Sequence, residues 1–357
     1  MLSRYLVNDF GNAGSRSHLR GVVAKEAVEL ARTQVAEVVD CRADEVFFTS
    51  GATESNNLAI LGLRDWAVES NKRHIVTSSI EHHAVLEPLE HLVTHGFEVT
   101  FLPCGESGRV SADQVAGALR SDTALVSIMH VNNETGVEQP LTEIADILRD
   151  HSAFFHVDAA QGFGKVLEPL KHPRLDLLSI SGHKIYGPKG IGALVARRRD
   201  GRRPPLSPLF FGGGQEKGLR PGTLPVALVA GLGEASRIAI RDHQARLTTN
   251  ILNQDAALSA FTQLGAVVNG DLEFVLPHTL NLSFPELNSE AVMLALKGVA
   301  DLSNGSACTS ANYEPSHVLT AMQLEEYRVE GALRFSWSHL TGDVEWTAIA
   351  DSIQIMM

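Results

Sequence analysis

The sequence predicts an α/β protein built on a mostly parallel sheet, followed by a smaller α+β unit. Two observations carry this. From Val46 to Val195, short apolar runs alternate with stretches of helical periodicity, the pattern of parallel strands joined by crossover helices. The chain is also 357 residues long, more than one hydrophobic core ordinarily serves, so a large domain and a smaller one are expected. The boundary falls near residue 240, giving a large domain over 1–240 and a small one over 241–357.

The strands are expected at Val46–Thr49, His74–Ser78, Glu98–Leu102, Ala124–Val131, Phe154–Val157, Leu177–Ser181 and Gly192–Ala196. Helical periodicity lies between them at Glu54–Glu69, Ala84–His95, Ala112–Arg120 and Leu141–Asp150. Residues 204–224, rich in glycine and proline but punctuated by apolar side chains, read as an ordered loop. A long helical stretch from Val226 toward Phe261 then leads to strands near Thr279–Phe284 and Leu333–Trp337.

Composition narrows the function. The chain holds 30 basic and 42 acidic residues, a formal charge of -12, and such a surface repels a phosphate backbone, so direct nucleic-acid binding is not expected. Arg197, Arg198, Arg199, Arg202 and Arg203 cluster around Asp200 and Gly201, which reads as a solvated hairpin tip rather than a partner patch. The three cysteines, Cys41, Cys104 and Cys308, are far apart and form no CxxC pair. That argues against a disulfide framework or a zinc site and fits a reducing cytoplasm. No stretch approaches a membrane span.

Four polar constellations fall on strand ends, where open α/β sheets bind their ligands. Thr49-Ser50-Gly51-Ala52-Thr53-Glu54 closes a strand and opens a helix, so a phosphate fits on the N–H groups of Ala52 and Thr53. Thr53, three residues before Asn56, reads equally as a plain helix cap. Ser179-Ile180-Ser181-Gly182-His183-Lys184 puts a lysine at the mouth of the sheet, flanked by small hydroxyl and glycine residues rather than charges. Burial and nearby charge there make an amine nucleophilic toward an aldehyde, and Ser181 and His183 both reach an anion; a lone lysine is otherwise a solvated cation. His156-Val157-Asp158-Ala159-Ala160-Gln161 ends an apolar strand on a carboxylate that needs a cation. A pyridinium nitrogen supplies one, and Gln161 then reaches the ring hydroxyl; the alternative is a capping aspartate. Ser303-Asn304-Gly305-Ser306-Ala307-Cys308-Thr309-Ser310 sets a cysteine among small polar residues, unlike a core thiol. Cys41 and Cys104 read as structural.

Together these blocks resemble the group I cysteine desulfurases, the NifS and IscS type, within the fold-type I pyridoxal-phosphate transferases. The likeness runs from Phe10-Gly11-Asn12 almost to the C-terminus. Its markers are SGATESNNLAI at 50–60, EHHAVLEP at 81–88, VSIMHVNNETG at 126–136, HVDAAQ at 156–161, SGHKIYGPKGIGAL at 181–194, GLRPGTLP at 218–225 and NGSACTSANYEPSHVL at 304–319. Seven motifs in family order make the signal specific.

The resemblance implies pyridoxal 5′-phosphate as cofactor, Lys184 as its covalent anchor and His82 as the histidine stacked on the ring that also serves acid–base steps. It implies that Asn133 and Gln161 face the ring hydroxyl and that Asp158 pairs with the ring nitrogen. Ala52, Thr53, Ser181 and His183 correspond to the phosphate cup. Thr223 corresponds to a threonine reaching in from the partner subunit of a homodimer. Arg334 corresponds to the arginine that clamps the substrate carboxylate, a task suited to a bidentate fork. Cys308 corresponds to the cysteine that attacks the sulfur of L-cysteine, leaving L-alanine and a persulfide for a sulfur-acceptor protein.

Two departures accompany the likeness. Family members usually open with a strand and an Asp-x-Ala-x-Thr-Thr segment before Phe-Gly-Asn, where this sequence has Met1-Leu2-Ser3-Arg4-Tyr5. The C-terminus, at Met357, falls inside what should be the closing helix. The absent segment normally helps wall the active site, so cofactor binding is expected to survive while full activity does not follow from the motifs. The stretches FGNAGSRSH, HVDAAQGFGK and RRRDGRRPPLSPLFFGGGQEKGLRPGTLP are more similar to desulfurases that serve DNA phosphorothioation than to those of iron–sulfur or thio-cofactor assembly. The competing readings are a selenocysteine lyase or other class V aminotransferase, which needs no loop cysteine, and a catalytically weakened sulfur-relay scaffold, which needs none of Lys184, Cys308 and Arg334.

Overall fold

In the computed structural model, which describes residues 1–284, 287–304 and 315–357, the apolar runs of the first half assemble into a seven-stranded sheet. Its strands are β1 (Val46–Thr49), β2 (His74–Ser78), β3 (Glu98–Leu102), β4 (Thr123–Ser127), β5 (Phe154–Asp158), β6 (Leu177–Ser181) and β7 (Gly192–Ala196), in spatial order β1-β7-β6-β5-β4-β2-β3. Apart from the edge strand β3 and Phe154 at the start of β5, every strand residue is buried. That is why the sequence shows continuous apolar runs here rather than alternation.

Strands β2 to β6 pair in parallel, as the alternation of strand and helix predicts. β7 departs from that expectation: it runs antiparallel to both β6 and β1. Only residues 182–191 separate it from β6, too few for a crossover, so the chain turns straight back. The expected strand at Ala124–Val131 is shorter, ending at Ser127, beyond which the chain turns into the cleft described below.

The sheet is flanked by α1 (Leu19–Val39), α2 (Ala52–Leu61), α3 (Arg64–Glu69), α4 (His83–Val93), α5 (Ala112–Ala118), α6 (Leu141–Ile147) and α7 (Val226–Arg241). The helix expected over Glu54–Glu69 is two, because the chain breaks at Gly62, whose carbonyl accepts the Ser207 N–H at 2.8 Å. The long stretch from Val226 also divides, at Asp242, into α7 and α8 (His243–Thr262). Helix α1 packs along α7 at close range: a Cβ on Gly233 would lie 2.5 Å from Ala31 Cα.

A second, antiparallel sheet of β8 (Val267–Val268), β9 (Thr279–Ser283) and β10 (Ala332–Ser336) has the order β10-β9-β8. It packs with α8, α9 (Ser289–Ala295) and α12 (Trp346–Gln354) around Phe261, Phe284, Phe335 and Trp337. The short helices α10 (His317–Ala321) and α11 (Glu326–Glu330) lie between β9 and β10 in the chain.

The arginine cluster is a hairpin turn, with Asp200 and Gly201 both at positive φ and Arg199 bridged to Arg202. Its tip, Asp200, Gly201 and Arg202, is exposed as expected, but the arginines leading into it are not solvated. Arg197 is buried and donates to the carbonyls of Val39, Asp40 and Leu170. Arg199 donates to those of His151 and Ala153, and Arg198 pairs with Asp44. The guanidinium forks satisfy carbonyls at element ends, a demand that composition does not reveal.

Gly192 sits between Thr49 of β1 and Ser181 of β6. A Cβ there would lie 2.3 Å from Ile180 O and 2.6 Å from Gly51 Cα, both backbone atoms. Gly192→Ala should therefore destabilise the ligand-free protein by about 2 kcal/mol or more, since neither neighbour yields like a side chain. An unchanged thermal unfolding midpoint would show that the strands separate freely.

Candidate active site

The carboxyl ends of β1, β5 and β6 open onto a cleft of about 690 Å³. At one end stands the N-terminus of α2. Its capping residue is Gly51, not Thr53, and no side chain caps the helix. Ala52 and Thr53, the first two helical residues, line the cleft, so the positive end of the helix faces it. Ser181 ends β6 and His183 and Lys184 follow on a 3-10 turn; all three line the cleft, with Ser181 Oγ 3.0 Å from His183 Nδ1. The turn closes on Tyr186 at φ 67°.

Asp158 ends β5 and is 5% exposed. Its Oδ2 accepts from Asn56 Nδ2 at 2.7 Å and its Oδ1 from the Ala160 N–H at 3.0 Å. Burial raises its carboxyl above the ordinary value, against those two donors and the positive charge of Lys184. A cation in the cleft would relieve this cost. Asn133 brings a second unmet demand, because its Oδ1 is buried with no hydrogen-bond partner among the described residues. Gln161 lines the same wall.

His82 caps α4, and its Nδ1 accepts the Ala84 N–H at 3.0 Å. That bond assigns the neutral ring's proton to Nε2. Burial lowers the pKa of the ring, which keeps it neutral. Arg334, on β10, reaches the cleft from the second sheet, with Nη1 donating to Asn133 O at 2.9 Å. The structure thus gathers ten of the expected residues: Ala52, Thr53, His82, Asn133, Asp158, Gln161, Ser181, His183, Lys184 and Arg334. Thr223 does not join them; it is exposed on the loop before α7. Cys308 lies outside the described residues.

Several residues here escaped the sequence reading. Asn56 orients Asp158 from α2. His83 and His317 also line the cleft, their rings 4.6 Å apart, and His317 Nε2 lies 2.9 Å from Glu81 O. Ser316 caps α10 and donates to the buried Glu134 carboxylate at 2.5 Å. Each pairing spans more than a hundred residues, so local pattern carries no trace of it. His156 of the HVDAAQ motif is a core residue, held between Ser127 and Ser179 and pushed down to about 3 by burial. Burial pushes the Cys41 thiol up to about 12 and raises that of Cys104 as well, leaving both unreactive. Among the described residues no cluster of side chains suits a metal ion, and no helix is long and apolar enough to cross a membrane.

Residues 1–343 match the aminotransferase class-V family, so the chain belongs to that family, whose members work with pyridoxal 5′-phosphate. The cysteine desulfurase IscS of Vibrio campbellii is 44% identical over 99% of this chain and 87% of its own length. The crystal structure of DndA from Streptomyces lividans is 51% identical with a TM-score of 0.85, covering 94% of each chain. SspA in complex with cysteine is 37% identical, with a TM-score of 0.82 over 94% of this chain and 93% of that one. These likenesses place the chain with the NifS- and IscS-type cysteine desulfurases. The residues present fit the cofactor: an uncapped helix end for a phosphate, a buried carboxyl for a ring nitrogen, an unpaired amide oxygen beside them and a lysine.

Glu81 precedes His82 and is wholly buried, its Oε1 accepting from Ser78 Oγ at 2.5 Å and from the Met129 N–H at 2.9 Å. Burial pushes its carboxyl up to about 8, so it is protonated at neutral pH. Between its ordinary value of 4.5 and about 8, the unfolded chain has lost a proton that the folded chain keeps. Stability from this group is therefore full below that window and falls as pH rises through it. In the ligand-free protein, Glu81→Gln should flatten the decline of unfolding temperature across that range. Parallel pH profiles for the two proteins would assign the decline elsewhere.

Proposed function

We propose that this cleft takes the sulfur of L-cysteine, releases L-alanine and passes the sulfur through Cys308 to an acceptor protein. The observation that carries the reading is the buried Asp158 carboxyl facing the same cleft as Lys184, His82 and the uncapped end of α2. Bound there, pyridoxal phosphate supplies an electron sink for charge developing at the substrate α-carbon.

The side chains divide the work. The N–H groups of Ala52 and Thr53, with Ser181 and His183, hold the phosphate. Lys184 Nζ would hold the cofactor covalently and, when released from that bond, would move a proton at the substrate α-carbon. Asp158 keeps the ring nitrogen protonated, and Asn133 and Gln161 bond the ring oxygen. His82 would lie against the cofactor and would move a proton through Nε2. Arg334 receives the substrate carboxylate; its bond to Asn133 O fixes the fork at the cleft wall. The Cys308 thiolate attacks the substrate sulfur: an S–S bond forms, the C–S bond breaks, and the carbon left behind takes up a proton to give alanine. Residues 1–240 hold the cofactor on this reading, and residues 241–357 bring Arg334 and Cys308.

We read the protein as a cytoplasmic homodimer in which Thr223 completes the phosphate site of the second copy. Support comes from Phe211, 89% exposed, and from Leu6, Val7 and Phe10, apolar residues that a partner would cover. For the pathway we favour DNA phosphorothioation over iron–sulfur or thio-cofactor assembly. It is supported by the three stretches named above and by 51% identity to DndA against 44% to IscS.

Lys184→Ala should lose all borohydride-fixed cofactor, and fixation at wild-type stoichiometry would remove Lys184 from its role. Asp158→Asn should keep much of the cofactor but lose about 100-fold in turnover, as expected for a charge removed from a dry site. Cys308→Ser separates the desulfurase from its relatives. It should bind cofactor and show the wild-type spectral change on adding cysteine, yet release almost no sulfide. In the wild type, one sulfur should be found by mass on the peptide holding Gly305 to Thr309. Sulfur on Cys41 or Cys104 instead would move the acceptor thiol.

A further inference from the structure

The segment before Thr223 has an unusual backbone. Gly214 (φ 77°), Glu216 (48°), Lys217 (59°) and Gly218 (83°) all lie in the left-handed region. Glycine adopts that conformation freely, whereas glutamate and lysine resist it. A buried ion pair holds the segment there. The Glu216 carboxylate accepts from Arg32 Nη1 at 2.8 Å and Nη2 at 2.7 Å, and from the Phe48 N–H at 2.7 Å. Arg32 reaches it from α1, donates to Val46 O at 2.6 Å and lies over the Phe48 ring at 4.7 Å.

Neither residue lines the cleft that holds Lys184; both face a separate recess of about 590 Å³. Two paths lead away from the pair. Gln215 Oε1 accepts the Gly222 N–H at 2.9 Å, which fixes the residue just before the exposed Thr223. Arg220 Nε donates to Glu54 Oε1 at 2.8 Å, and Glu54 Oε2 accepts the Ser50 N–H at 2.7 Å, which leads back to the chain's own anion-binding helix end.

We propose that the Arg32–Glu216 pair is a positioning device that acts in trans. It holds residues 214–223 in their strained shape so that Thr223 meets the phosphate bound by a second copy. This rests on the homodimer reading. A device acting in cis, through Arg220 and Glu54, is the competing outcome.

Mixed dimers separate the two. Lys184→Ala in one chain confines borohydride-fixed cofactor to the other, so a single site is read by fixation after titration with pyridoxal phosphate. In the first dimer, Glu216→Gln shares a chain with Lys184→Ala and the partner is wild type. In the second, Glu216→Gln is on the chain that keeps Lys184, opposite a chain with Lys184→Ala alone. The first should bind cofactor about ten-fold or more weakly than a dimer carrying only Lys184→Ala, the worth of one hydrogen bond to a charged group. The second should match that control. Equal binding in the two dimers, or weakening confined to the second, overturns the proposal. A monomer by light scattering overturns the dimer reading and the proposal with it. Gln215→Ala leaves the buried pair intact and should give the same one-sided loss; should Glu216→Gln not fold, the absence of that loss overturns the proposal.

Discussion

Asp158 ends a strand buried on both faces, and a charge in that position is costly unless something compensates it. Two N–H donors are not enough, since burial still raises its carboxyl. The arrangement around it follows from this demand. Asn56, which supplies one donor, sits on α2, so the bond sets how far that helix slides over the sheet. From Ala52 to Asn56 is four residues, just over one helical turn or roughly 6 Å of rise. α2 therefore acts as a ruler between its own positive end, which faces the cleft, and the carboxyl that calls for a cation, and a flat heteroaromatic phosphate would suit both ends at once.

Much of this was legible in the sequence because the strands are buried on both faces. Continuous apolar runs such as Leu177–Ser181 have few alternative readings, and five of the seven large-sheet strands begin and end where the sequence places them. The polar groups stood out because they interrupt those runs at their carboxyl ends. Helix α1 was not legible: Arg32 and Gln34 are buried within it and blur its apolar face. Nor did the sequence single out Glu216, whose partner Arg32 lies 184 residues away. The direction of β7 depends on the length of one connection, which strand–helix rhythm alone does not weigh.

The thiols show how burial sorts residues of one type. Cys41 and Cys104 resist ionisation because their surroundings disfavour the thiolate. Burial similarly holds His156 neutral in the core, whereas His82, at a helix end beside the cleft, keeps an Nε2 proton on the side of the ring away from its cap.

The reversal of β7 bears on how this chain can change over time. Because β7 lies between β1 and β6, two segments that line the cleft, the β1–α2 loop and the turn after β6, are fastened to the same strand by its two edges. Any lengthening of residues 182–191 would alter the register of that strand and shift both halves together. The crossovers elsewhere also carry cleft residues close to the strand ends, but their distal turns, away from the cleft, leave room for inserted residues that this ten-residue hairpin lacks. Within such a lineage, variation in length should gather in the other connections, and the span from Ser181 to Gly192 should keep a constant count.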